Sequence, residues 1–120
     1  MTTKEMAEKV AAIMDDRKAK NIEVIDTTKM TDVTDYFIIC SGTSTTHVKA
    51  IADEVEFKMK EAGVECSHIE GYDSAQWILL DFTDVVAHVF IEDQREYYNL
   101  ERLWRDSAGR LKAPAEKGNA

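Results

Sequence analysis

Ser41-Gly42-Thr43-Ser44 follows a run of apolar residues and opens a helical pattern. At such a junction, backbone N–H groups and the helix dipole can hold a phosphate. The chain has neither G-x-x-x-x-G-K-[ST] nor G-x-G-x-x-G, and a Gly-Ser-Thr turn more commonly caps a helix, so this loop alone specifies no ligand. Metal-assisted transfer of a nucleotidyl group would need two carboxylates on one strand face to hold Mg²⁺. Strand side chains alternate, so such a pair must be spaced i, i+2. Asp81 and Asp84 stand three apart, as do Asp32 and Asp35, while Glu54 and Glu56 have the spacing but fall in a helical stretch where they diverge. Transfer chemistry is disfavoured. His47, His68 and His88 with Cys40 and Cys66 match no finger, knuckle or zincin spacing, and neither Ser41 nor Cys40 has a recognisable base nearby in sequence. No catalytic residue, metal or cofactor is expected.

The stretch Trp77-Ile78-Leu79-Leu80-Asp81-Phe82 suggests binding instead. Alternation puts Trp77, Leu79 and Asp81 on one face of a strand and Ile78, Leu80 and Phe82 on the other. Two readings are open. If helices cover only the second face, the first offers an aromatic anchor beside a carboxylate, the composition of a hot spot for a basic protein. Otherwise the strand is buried on both faces. His88 reads most simply as a strand residue hydrogen-bonded to a neighbour.

Net charge narrows the partner. At −8, the chain is a poor candidate for binding nucleic acid directly, because backbone affinity comes from Lys and Arg displacing counterions. An exposed basic protein surface fits better, including one on a ribonucleoprotein whose RNA would repel the rest of the chain. With 120 residues, 44% apolar and 32% charged, one compact domain is expected. Two cysteines outside any C-x-x-C pair give no disulfide framework, and there is no signal-like, transit-like or membrane-spanning run. The expected location is the cytoplasm.

The elements that must position these residues follow from periodicity. Met6, Val10, Ile13 and Met14 give a helix over 3–19; residues 22–26 and 36–40 read as strands, the second buried on both faces. Val48, Ile51, Ala52, Val55, Met59 and Ala62 mark a second helix, capped by Ser44 or Thr45 and ended at Gly63. Strands are expected at 64–70, 77–82 and 85–91, the last two joined by Thr83-Asp84 as a hairpin. Asp93 and Glu96 have capping-box spacing before a final helix with Tyr97, Leu100, Leu103 and Trp104 on one stripe, and 107–120 reads as a disordered tail. The fold class is α/β (α+β), one domain over residues 1–106, in the order αββαβββα, with a mixed five-stranded sheet and packed helices.

The segments 34–44 (TDYFIICSGTS) and 47–53 (HVKAIAD) closely resemble the signature of the iojap, or ribosomal silencing factor, family. A second block agrees in order and spacing: Glu70-Gly71, 77–81, Asp84-Val85-Val86, His88-Val89-Phe90 and 95–104. The resemblance covers about residues 4–106. It implies a nucleotidyltransferase-like fold without catalytic residues and a protein that binds the large ribosomal subunit. The implied contact is ribosomal protein L-fourteen at the intersubunit face, where occupancy would exclude the small subunit and repress translation. Organellar relatives act in large-subunit assembly, and homodimers are common in the family. Carried over by position, the resemblance implies a partner-binding surface of Trp77, Leu79, Asp81, Asp84 and His88. Thr83 replaces a glycine often found in that turn, and Ala87 a larger aliphatic residue.

Overall fold

The structure is a computed structural model and describes residues 1–28 and 34–92. The expected final helix from Asp93 and the tail at 107–120 lie outside the described residues, as does the lower boundary of that tail at residue 106. The described order is α1 (Thr3–Asp16), β1 (Lys20–Asp26), β2 (Tyr36–Gly42), α2 (Thr45–Glu61), β3 (His68–Glu70), β4 (Trp77–Asp81) and β5 (Val85–Ile91).

A capping box starts α1: the Thr2 hydroxyl oxygen accepts from the Glu5 N–H at 3.1 Å, and the Glu5 carboxylate accepts from the Thr2 N–H at 2.8 Å. The helix stops at Asp16, before the expected residue 19, because Arg17 leaves helical geometry and Lys18 turns to φ 60°. Ser44 caps α2, its hydroxyl oxygen accepting from the His47 N–H at 3.1 Å. Past the other end, Gly63 has φ +89°, a conformation that costs a residue without Cβ nothing.

The sheet order is β1-β2-β5-β4-β3. β2 and β5 are parallel, and the other three pairings are antiparallel. β2 and β3 therefore run in the same direction, and α2 is the crossover between them, with β5 and β4 inserted in the gap. β1 starts two residues earlier than its sequence pattern suggests, through a register shift between Lys20 and Glu23. β3 is shorter than expected because pairing with β4 begins only at His68 opposite Asp81.

Both helices lie on one face. Met6, Val10 and Met14 of α1 and Val48, Ile51, Val55 and Met59 of α2 bury Ile38, Cys40, Ile78, Leu80, Val85, Ala87 and Val89. Phe37, Ile39, Trp77, Leu79, Val86 and Phe90 form a second cluster on the opposite face. Close packing of α2 depends on Gly42: a Cβ there would stand 2.9 Å from Val48 Cγ2 and 3.1 Å from the Val48 backbone nitrogen. Among the described residues, no helix is long and apolar enough to cross a membrane.

Candidate partner-binding site

The hairpin of β4 and β5 carries all five residues singled out as a partner surface. Alternation holds as expected, with Trp77 and Leu79 in the second cluster and Ile78 and Leu80 in the first. Register sets Leu79 opposite His88 and Trp77 opposite Phe90, while Ile39 of β2 flanks His88 on its other side. Trp77 thus lies diagonal to His88, within reach of a large side chain. Its indole N–H donates to His88 Nδ1 at 3.0 Å. Phe37 meets the imidazole edge-on at 4.6 Å between ring centroids, and Trp77 stacks on Phe90 at 4.9 Å.

Of the two readings open for this strand, the structure takes burial on both faces. Trp77 is 1% exposed, Leu79 6% and His88 0%. Burial pushes the His88 imidazole down from 6.5 to about 3, so it is neutral at physiological pH. Because Nδ1 accepts from the indole, the proton of the neutral ring sits on Nε2, and that N–H has no acceptor among the described residues. A buried donor left unpaired costs about 1–3 kcal/mol.

The two aspartates lie at the other end of the hairpin. Asp84 is exposed and Asp81 half-buried. Between them Thr83 has φ +77°, and the Asp84 N–H donates to the Phe82 carbonyl at 3.0 Å, which makes a γ-turn of the rare, strained hand. The Asp81 carboxylate braces it by accepting from the Thr83 N–H at 2.7 Å. The glycine that the family resemblance puts at position 83 would sit in this conformation without steric cost.

The Asp84 carbonyl then ties this tip to the start of β2, accepting from the Asp35 N–H at 2.8 Å and from the Thr34 hydroxyl at 2.8 Å. The buried Thr27 hydroxyl in turn donates to the Thr34 carbonyl at 2.8 Å. Thr27 and Thr34 are positioning residues that spacing did not reveal, because both stand in a largely polar stretch of the sequence. The result is a backbone-anchored tip that presents carboxylate charge.

The Ser41–Ser44 loop serves structure here. The Thr43 N–H donates to His47 Nδ1 at 2.9 Å, so the His47 Nε2–H donates to the Arg17 carbonyl at 2.8 Å and joins the loop to the end of α1. A shallow hollow of about 500 Å³ beside it is lined by Asp16, Arg17, Lys18, Lys20, Thr43 and His47. Arg17 and Lys20 are already engaged with Glu54 at 3.1 Å and Glu92 at 3.9 Å. Elsewhere, His68 pairs with Glu70 at 2.6 Å, Cys40 is core, and burial pushes the Cys66 thiol up.

A family profile described as "Ribosomal silencing factor during starvation" matches residues 1–119. The chain belongs to the ribosomal silencing factor family. It is 44% identical over 107 residues to ribosomal silencing factor RsfS of Bacillus subtilis (strain 168), covering 89% of this chain and 91% of that protein. A crystal structure of a protein from Chromobacterium violaceum, 37% identical, superposes with a TM-score of 0.84 over 94% of this chain and 92% of the other. The mouse protein named mitochondrial assembly of ribosomal large subunit protein 1 is 34% identical over 100 residues, 79% of this chain and 43% of its own length. The silencing-factor fold is thus the small α+β domain with a five-stranded mixed sheet expected from periodicity.

Proposed function

We propose that this silencing factor acts by binding alone: it occupies ribosomal protein L-fourteen at the intersubunit face of the large subunit in the cytoplasm and keeps the small subunit away. The observation that carries the reading is the anchored acidic tip of the β4–β5 hairpin. A net charge of −8 disfavours contact with rRNA, and carboxylates carried on a backbone-anchored turn, with that of Asp81 held by the Thr83 N–H, cost little entropy when they meet Lys or Arg. Asp84 and Asp81 face the basic partner. Trp77, Leu79 and His88 belong to the same surface as its apolar floor, engaged once the partner seats over the hairpin. Blocking is steric, with no bond made or broken. A homodimer is part of this proposal, and so is a contribution to large-subunit assembly.

Sedimentation of purified large and small subunits, with and without excess protein, at a Mg²⁺ concentration that allows joining, tests the reading. The protein should migrate with large subunits and the joined peak should shrink. Asp84→Lys should leave the circular dichroism spectrum unchanged, because Asp84 bonds to the other described residues through its backbone, and should weaken large-subunit binding at least tenfold, about 1.4 kcal/mol. Protein that stays at the top of the gradient refutes the reading.

A further inference from the structure

The unpaired Nε2–H of His88 stands out because nearly every buried donor in a folded protein finds an acceptor. Among the described residues it is framed by rings: Phe37 lies edge-on, Phe90 close to parallel at 6.5 Å, and Trp77 donates to the other nitrogen. Apolar side chains at both 77 and 88 would fill the place without either polar group and without the desolvation penalty. The penalty is avoided if a second state supplies the missing acceptor.

Resting on the function proposed above, we infer that the partner supplies it: when the large subunit seats over the β4–β5 hairpin, the Trp77 face opens and the His88 Nε2–H donates to an oxygen of the bound protein, a main-chain carbonyl or a hydroxyl. His88 is then a specificity-determining residue of the interface, and Trp77 is the residue that sets its tautomer. A site built to hydrogen-bond an acceptor discriminates strongly against surfaces that lack one, since the donor is left buried and unpaired. The acidic tip attracts any basic surface; the imidazole accepts only one with an oxygen in register.

The test separates this role from packing. Trp77 is kept in every variant, because its indole sets the tautomer. His88→Leu, which removes the donor, should weaken co-sedimentation with large subunits at least tenfold. His88→Gln, of similar size, has an oxygen that can accept from the indole and an N–H that can replace Nε2–H, and should recover most of the loss. Equal binding by wild type and His88→Leu overturns the inference, as does failure of Gln to rescue. Should these variants unfold, nitrogen-15 spectra of the wild-type imidazole decide: a proton on Nδ1 overturns the inference, and a proton on Nε2 upholds its premise. Failure of wild-type protein to bind large subunits would instead sink the proposed function, which the Asp84→Lys comparison reads independently.

Discussion

Two residues carry strain or cost that a stability-optimised chain would shed, and both lie on the candidate site. Thr83 holds φ +77° with a β-branched side chain. Thr83→Gly should therefore stabilise the fold by about 1 kcal/mol, visible as a rise in the denaturation midpoint at unchanged slope. His88 gives a pH signature. Its folded value, about 3, lies below the ordinary 6.5, so unfolding takes up a proton wherever the unfolded ring is protonated and the folded one is not. Stability from this group is complete above about pH 6.5 and falls as pH drops toward 3, by up to about 1.4 kcal/mol per pH unit. Urea titrations from pH 7 to 4 should show that slope in wild type, and His88→Phe should remove it. The identity of both residues was plain in the sequence; their conformations were not, because φ at a turn and the partner of a buried nitrogen depend on strands brought in from elsewhere.

At the scale of elements, periodicity found each of the described helices and strands within a few residues, since each has an apolar stripe or run. The ends it missed are those decided by long-range pairing: β3 is short because only His68–Glu70 reaches β4, and α1 stops early where Lys18 turns into β1. The sheet's second buried face was left open by alternation, which shows which residues share a face and says nothing of what lies against it. Gly42 belongs to this scale as well, because it fixes the distance between β2 and α2. Gly42→Ala should destabilise by about 1–3 kcal/mol, since a backbone nitrogen 3.1 Å from the new Cβ cannot move aside without shifting the helix. Thermal melts read the cost, and a neutral result would mean that α2 slides freely on the sheet.

For the molecule as a whole, family membership and fold were legible because long motifs run through nearly the entire domain, while the contact surface was legible only as positions. Three of the five positions proposed for it prove to be buried in this chain, and of the five only Asp81 and Asp84 reach the surface. Sequence could order the strands along the chain but not across the sheet, where β5 is inserted between β2 and β4.

That insertion bears on how the protein is made. The strand at the middle of the sheet is the last of the five to leave the peptidyl-transferase centre, so β1 and β2 emerge as a hairpin that cannot be joined to β3 and β4 until Ile91 has cleared the exit tunnel. A fragment ending at Gly63 should consequently show little helical signal and no cooperative melt, whereas one ending beyond β5 should regain both. A protein meant to act on ribosomes would then stay unfolded, and unable to bind one, for most of its own synthesis.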